Sequence, residues 1–279
     1  MRSGFLVLMA ACVALVATAT PAAGDGGPGQ GAVQGWDGVA RGAERYVAVP
    51  AGGWTTVQAI NRKGGRVTRW LELKGTWGIP LVSADGARDA LLRDGHTLVL
   101  GQVTAGPFLR KRSSFAFADL KHMYVTRTID MPGHMTFDAM SPDAHYMYLT
   151  EYVSQQNFFR YRVRAFDLRA TRLLPKIVSD RSSWETTMQG WPVSRAHRDG
   201  WAYTLYAGSG ARPFIHALDT RHVSAVCIDL PWKDDPAGIG AYRLHWDGSG
   251  HLVVRGPRGR ALVTVDRGSA RVLSFVRDP

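Results

Sequence analysis

Cysteine is almost absent from this chain, with Cys12 and Cys227 the only two in 279 residues. Cys12 lies in an apolar run from Phe5 to Val16 that follows Arg2 and precedes the small residues of 17–23, an order typical of a secretory signal peptide. Cleavage of residues 1–23 leaves Cys227 alone, which excludes an intramolecular disulfide in the mature chain. We therefore expect a secreted or cell-envelope protein that is stabilised by its hydrophobic core.

A long membrane-spanning run is also missing. The N-terminal apolar run is shorter than the roughly 20 residues that a span needs, so an uncleaved anchor is only the alternative, and no stable span is expected after cleavage. A lipid-modified Cys12 is disfavoured because Met9 stands where leucine is usual and the apolar run continues past the cysteine. Residues 24–35, rich in Gly, Pro and Gln, are predicted to form a flexible linker to a single domain spanning 36–279.

Motifs of known metal, cofactor and catalytic sites do not occur. The nine histidines show no metal-binding spacing, and there is no Gly-x-Ser-x-Gly elbow or EF-hand loop. The sequence therefore predicts neither a metal site nor a cofactor. His216 and Cys227 are interpreted as strand residues, the cysteine buried. Nucleic acid is not an expected partner, because the chain has an export signal and no recognised nucleic-acid module.

Helical periodicity is nearly absent after Trp36, and the best candidate is a turn or two at Asp85 to Leu92, with Asp85 as the cap. Two markers instead recur about every fifty residues. The first is an apolar run that ends in an amide or acidic residue, at Asn61, Asp119, Asp167, Asp219 and Asp266. The second is a turn before a strand-like run, at Arg41-Gly42, Asp94-Gly95, Asp143, Asp199-Gly200 and Asp247-Gly248.

These markers predict five units of four antiparallel strands, A to D, with A and B joined at the second marker and C ending at the first. In the third unit the strands are expected at Thr136–Met140, Tyr146–Tyr152, Tyr161–Asp167 and Leu173–Val178. Strand B is apolar on both faces while strand C alternates, which is typical of radially stacked sheets. Residues 33–39 would have to supply strand A of the first unit, and an N-terminal strand beside 271–276 could close the ring.

The third unit carries a recognisable pattern. Ser141-Pro142-Asp143, an aromatic strand and then Ala165-Phe166-Asp167-Leu168 resemble the repeat of YVTN-type and WD-repeat-like bacterial β-propellers. Ala144 replaces the usual glycine, and no Trp-Asp pair closes the repeats. The resemblance extends over nearly the whole mature chain. The chain also resembles exported bacterial propellers that have no assigned activity. It implies an all-β propeller of about five blades and leaves the function open.

The formal net charge is +11, and arginine greatly outnumbers lysine. On the propeller frame, the B–C loops fall at 51–54, 104–112, 153–160, 207–213 and 255–260 and should share one face. They hold several arginines, and guanidinium groups suit phosphate, sulfate and carboxylate. With Trp191 nearby, the predicted ligand-binding residues are Arg110, Arg112, Arg160, Arg212, Arg258, Arg260 and Trp191. A generally basic surface without a specific ligand is the competing interpretation.

The main hypothesis is a binding or interaction scaffold for an anionic polymer or glycan of the cell envelope, or for a protein partner. The alternative is a propeller-type glycan hydrolase with inward carboxylates as acid and base. Its candidate catalytic residues are Asp138, Glu151 and Glu185. The oligomeric state is not predicted.

Overall fold

The computed structural model describes residues 31–33, 35–104, 109–180, 186–208 and 212–277, which form 22 β-strands and one short 3₁₀ turn. No helix within these ranges is long and apolar enough to cross a membrane. The predicted signal peptide and residues 24–30 of the predicted linker lie outside the described residues.

Consecutive strands pair antiparallel into five sheets, the blades of a β-propeller. Blade 1 contains β2 (Gly35–Arg41), β3 (Glu44–Ala51), β4 (Trp54–Asn61) and β5 (Val67–Lys74). Blade 2 contains β6 (Trp77–Leu81), β7 (Thr97–Gln102), β8 (Arg112–Asp119) and β9 (Tyr124–Pro132), with β1 (Gly31–Val33) added beside β6. Blade 3 contains β10 (His134–Met140), β11 (Tyr146–Tyr152), β12 (Arg160–Asp167) and β13 (Arg172–Val178), with β14 (Met188–Gln189) beside β12. Blade 4 contains β15 (Trp191–Arg198), β16 (Trp201–Ala207), β17 (Phe214–Asp219) and β18 (Ser224–Asp229). Blade 5 contains β19 (Arg243–Trp246), β20 (Leu252–Arg255), β21 (Ala261–Asp266) and β22 (Arg271–Phe275).

The predicted fold class and blade number are confirmed. The four strands expected in the third unit match β10 to β13 to within two residues, and all five B–C connections fall where the repeat places them. We call the side with the B–C and D–A connections the loop face, and the side with the A–B and C–D connections the turn face.

Burial is highest in the inner and middle strands, and it is low in the outermost strand of most blades. Every residue of β10 except Met140 is buried, and β17 is buried throughout. The outermost strands β9, β13 and β22 are largely exposed. Inner strands therefore pack on both faces against neighbouring blades, as the apolar B strands predict.

The recurring acidic or amide residue caps the C–D turn. The Asp119 carboxylate accepts the backbone N–H groups of Lys121 and His122 at 2.8 and 3.0 Å, and Asn61 does the same for Lys63 and Gly64 at 2.9 and 3.2 Å. The same turn holds one residue with positive φ just before strand D in every blade. These residues are Gly65, Met123, Thr171, Val223 and Ala270, with φ between 50° and 67°.

Buried hydroxyl groups join successive blades near the loop face. In blade 1, Thr55 donates to the carbonyl of Gly75 at 2.8 Å and accepts the N–H of Trp77 at 2.9 Å. In blade 2, Ser113 donates to the carbonyl of Gly133 at 2.9 Å and accepts the N–H of Met135 at 2.8 Å. Each hydroxyl satisfies the backbone where the chain enters the next blade.

Three local expectations were wrong. Asp85 to Leu92 is not a helix, because the Asp85 carboxylate accepts the Ser83 hydroxyl at 2.6 Å and the Ala87 N–H at 3.3 Å, which closes a turn. Gly31–Val33 belongs to the sheet rather than the linker. That strand pairs with β6, while β22 pairs only with β21 among the described strands, so no described N-terminal strand lies beside 271–276.

We expect Ser113→Ala to lower the free energy of unfolding by about 1–3 kcal/mol, because it leaves two buried backbone groups without their partner. Chemical denaturation measures this directly. The matched control is Ser114→Ala, whose hydroxyl bonds Asp130 in an exposed pair and whose loss should cost less than about 0.5 kcal/mol. Equal effects of the two substitutions would contradict the proposed role of the buried hydroxyl.

Acidification should destabilise the fold through the turn aspartates. The side-chain hydrogen bond from His122 and the backbone N–H groups lower the pKa of Asp119 to about 2. A carboxylate with a depressed folded pKa stabilises above its unfolded pKa near 3.9, and that stability is lost as the pH falls towards 2. Asp119→Asn copies the Asn61 turn without a titrating group, so thermal melts between pH 5 and 2 should show a smaller loss for this variant. An identical pH dependence would argue against the assignment.

Candidate functional site

A buried arginine occupies the centre of the propeller. Arg195 lies in the innermost strand of blade 4, and its side chain is 1% exposed. The Nη1 atom donates to the Asp138 carboxylate at 2.7 Å and to the Thr204 hydroxyl at 2.6 Å, while Nη2 donates to the Asp138 carbonyl at 2.8 Å. Asp138 reaches this position because it is the unpaired residue of a β-bulge between Phe137 and Ala139.

The remaining partners come from the long A–B connection of blade 2, residues 82–96. Asp89 accepts the Arg195 Nε–H at 3.0 Å and the His197 Nε2–H at 2.6 Å. The backbone of this connection also joins β15, with the Ala84 N–H bonded to the Pro192 carbonyl and the Asp85 N–H to the Val193 carbonyl, both at 3.0 Å. The connection therefore passes blade 3 and fastens the middle of the molecule to blade 4.

The pKa values of Asp89 and Arg195 are both shifted in the direction that favours the charged form. Burial alone would raise the pKa of Asp89, but attraction from His197 and Arg195 outweighs it and lowers that pKa. Burial alone would likewise lower the pKa of Arg195, and Asp138 and Asp89 reverse this and raise it. Asp89 and Arg195 therefore compensate each other's loss of hydration.

A pocket of about 470 Å³ opens on the turn face beside this network. Its walls come from the A–B connections of blades 2, 3 and 4, with Asp89, Ser141 and His197 among the lining residues. The Ser141 hydroxyl bonds the Asp143 carboxylate at 2.7 Å and accepts the Tyr146 N–H at 2.8 Å. Ser141 is thus occupied in its turn, and within the described part of the chain no hydroxyl group is hydrogen-bonded to the Asp89–His197 pair.

The hydrolase candidates lie apart from one another. Asp138 is paired with Arg195, and Glu151 on β11 accepts the Arg164 Nη1–H at 2.9 Å. Glu185 lies outside the described residues. Each described carboxylate is thus engaged by a different arginine, and the two do not face each other as an acid and base pair would.

Two of the predicted ligand-binding arginines have protein partners. Arg110 is partly buried, and its Nη2 donates to the Ser113 hydroxyl at 3.3 Å and to the Met135 carbonyl at 3.2 Å. Arg112 is exposed but forms an ion pair with Asp130 at 2.6 Å. Trp191 is partly buried and packs against Gly240, where an added Cβ would lie 3.0 Å from the ring. These contacts give the three residues structural roles.

The other four predicted arginines are exposed on the loop face: Arg160, Arg212, Arg258 and Arg260. None forms an ion pair within the described ranges. Arg160 makes only two long contacts, of 3.4 Å, to the Thr187 hydroxyl. The structure thus brings guanidinium groups of blades 3, 4 and 5 to one side of the molecule without a carboxylate partner among the described residues.

Blades 3 and 4 meet across an interface that combines an apolar cluster with rows of polar and aromatic side chains. On blade 4, a cross-strand row runs from Arg195 through Thr204 and His216 to Cys227. On blade 3, the row from His134 passes through Tyr152 and Tyr161 to Met188. Tyr152, Tyr161, Tyr206 and Phe214 pack together here, with Met188 and Cys227 against them. We call this region the 3–4 seam.

Sequence reasoning did not identify Arg195, Asp89 or His197. The sequence did show that the second unit is longer than the others. Extra residues between two paired strands must pack against another part of the fold, and here they supply Asp89. Their route across to blade 4 depends on the tertiary fold.

No protein-family model matches the sequence, and no curated protein matches it. Among solved structures, the chain is similar to a puromycin-hydrolyzing peptidase of Mycobacterium tuberculosis, at 16% identity over 89% of this chain and 37% of that one, with a TM-score of 0.49. It is similar to a putative 6-phosphogluconolactonase from Bacteroides uniformis, at 12% identity over 86% and 70%, with a TM-score of 0.46. It is also similar to the Cps50 (Swd1) β-propeller domain of Myceliophteria thermophila, at 16% identity over 68% and 54%, with a TM-score of 0.38. The chain spans between 37% and 70% of the length of these structures, and no activity is inferred from them.

We expect Arg195→Met to destabilise the protein by about 3–5 kcal/mol, because it leaves Asp138 buried without a counter-ion. Denaturant unfolding measures the loss. His197→Ala serves as the control on the same network, since its side chain is 42% exposed and its removal should cost less than about 1 kcal/mol. An Arg195→Met protein as stable as the wild type would show that the ion network does not hold the blades together.

Proposed function

We propose that this protein is a binding scaffold that uses its loop face to hold an anionic polymer of the cell envelope. The observation that carries the proposal is a set of exposed arginines on three neighbouring blades that form no ion pair with any residue the structure describes: Arg160, Arg212, Arg258 and Arg260. Guanidinium groups recognise phosphate, sulfate and carboxylate through paired N–H donors, and several of them on one side of a molecule reinforce one another.

Carboxylates near these arginines are mostly engaged elsewhere. Asp130 pairs with Arg112, Glu151 pairs with Arg164, and Asp235 accepts the Gly208 N–H at 2.7 Å. Asp229 and Asp234 are exposed on the blade 4 side and reduce the positive field only there. The balance on the loop face therefore favours an anionic ligand.

On the turn face, aspartates offset the positive charge of the arginines. Its aspartates end the C strands and occupy the A–B turns, and several pair with arginines, as Asp143 does with Arg169 at 3.6 Å and Asp199 with Arg198 at 3.8 Å. Asp199 also pairs with Arg267. A polyanion should thus prefer the loop face to the turn face, although the whole chain is basic.

The filled centre also supports a scaffold. The Arg195 network and the 82–96 connection occupy the region where a channel enzyme would place two opposed carboxylates and a substrate. Export through the N-terminal signal remains part of the proposal, since it would bring the loop face into contact with phosphate- or uronate-bearing envelope polymers.

Binding to inorganic polyphosphate at low ionic strength tests the proposal. We expect the combined change of Arg160, Arg212, Arg258 and Arg260 to Glu to weaken binding at least about tenfold, since each exposed charge contact contributes roughly 0.2–1 kcal/mol. Fluorescence anisotropy of a labelled polymer, repeated at increasing salt, should also show a shallower salt dependence for this variant.

The control is the combined change of Arg62, Arg66, Arg172 and Arg271 to Glu, which alters the net charge equally at exposed positions on or near the turn face. It should weaken binding much less. Equal weakening by both variants would reduce the effect to overall charge and would refute a binding face. Intact binding by the loop-face variant would refute it as well.

A further inference from the structure

Two sulfur atoms lie close together in the 3–4 seam. Cys227 on β18 and Met188 on β14 belong to different blades, and Cys227 Sγ is 4.0 Å from Met188 Sδ. Their positions follow from strand register, because Cys227 pairs with His216 and Met188 pairs with Tyr161. Residues paired across neighbouring strands point to the same face of a sheet, and here the two faces oppose each other.

The third member of this cluster is His216. Its side chain is 1% exposed and stands next to Cys227 in the cross-strand row. Its Nε2 atom is buried without a hydrogen-bond partner in the described part of the chain. A buried imidazole nitrogen with no partner is costly, and here it belongs to the residue paired directly with Cys227 across the two strands.

The distance between the sulfurs fits a shared ligand. A metal–sulfur bond of about 2.3 Å, the length known for zinc thiolates, places two sulfurs of a trigonal site about 4.0 Å apart. The observed separation is 4.0 Å. The two side chains therefore need no rearrangement to bind one ion between them.

We propose that Cys227, Met188 and His216 form a binding site for a monovalent soft metal ion, Cu(I). Thiolate and thioether sulfur favour Cu(I), and imidazole also binds copper. Zinc is disfavoured because its usual protein ligands are thiolate, imidazole and carboxylate, not thioether. The site goes beyond the proposed polyanion binding and is independent of it.

Binding replaces a proton. When Cu(I) binds, the Cu–S bond forms, the S–H bond breaks and the proton passes to solvent, with no change of oxidation state. The side chain of Cys227 is only partly buried, which leaves the ion a route to the sulfur.

The Asp180 carboxylate positions Cys227 from the backbone. It accepts the Cys227 N–H at 3.0 Å, and Asp180 forms a parallel bridge to Ala225. This contact joins the D–A connection of blade 3 to the outer strand of blade 4. It fixes the edge of the seam at which the two sulfurs meet.

Anaerobic titration of the full chain with Cu(I) in competition with bathocuproine disulfonate tests the site. We expect one Cu(I) per chain, and X-ray absorption spectra with two sulfur ligands and one nitrogen ligand. Cys227→Ser should weaken Cu(I) binding by more than about 100-fold, since loss of even an outer partner of a metal ligand typically costs 10–100-fold. Met188→Leu, which conserves size and polarity of the surroundings, should weaken it at least about tenfold.

Met140→Leu is the matched control, a partly buried methionine of blade 3 outside the seam, and should bind Cu(I) as the wild type does. Circular dichroism and thermal melts confirm that each variant is folded. Absence of binding in the wild type, or equal affinity in the Met188→Leu and Met140→Leu proteins, would overturn the proposal and leave the contact between the sulfurs as ordinary packing.

Discussion

Burial of the Arg195 guanidinium is the constraint on which the centre of this propeller depends. A guanidinium removed from water must have its N–H groups met by acceptors, or the cost exceeds any gain from packing. Three separate features supply them: the bulge that turns Asp138 inward, the Thr204 hydroxyl on the neighbouring strand, and Asp89 from the blade 2 connection. Blades 2, 3 and 4 are consequently held by one group of charges as well as by apolar packing.

The architecture could be predicted from the sequence because its markers act locally. Asp119 and Asn61 bond N–H groups only two and three residues ahead, so the residue type and the turn stay together wherever the chain places them. The third unit was predicted almost to the residue for the same reason. The turn also tolerates substitution of its glycine. Ala144 adopts the left-handed conformation, at φ 53°, in which glycine is usual.

The centre and the seam could not be predicted because they depend on contacts between distant residues. Asp85 reads as a helix cap by its neighbours alone, yet its carboxylate also accepts the backbone N–H of Arg195 at 3.1 Å. Arg195 itself looks like an exposed residue of an alternating strand. The ligands proposed for Cu(I) have no motif spacing, since Met188, His216 and Cys227 meet only after two blades pack. The sequence predicted that the arginines of the B–C loops lie on the loop face. It could not predict which of them bind other protein groups, as Arg110 and Arg112 do and the other four largely do not.

The interfaces between blades differ in a way that bears on function. Apolar side chains fill the contacts from blade 1 to blade 3 and those between blades 4 and 5. Blades 3 and 4 also share an apolar cluster, but beside it the 3–4 seam buries His134, Thr136, Thr150 and His216, and the Thr136 hydroxyl has no hydrogen-bond partner within the described ranges. A repeated architecture can fill each such contact with apolar residues at lower cost. Among the described residues, buried polar groups are nevertheless most numerous on blades 3 and 4, around a centre closed by the Arg195 ion network and next to the ligands proposed for Cu(I).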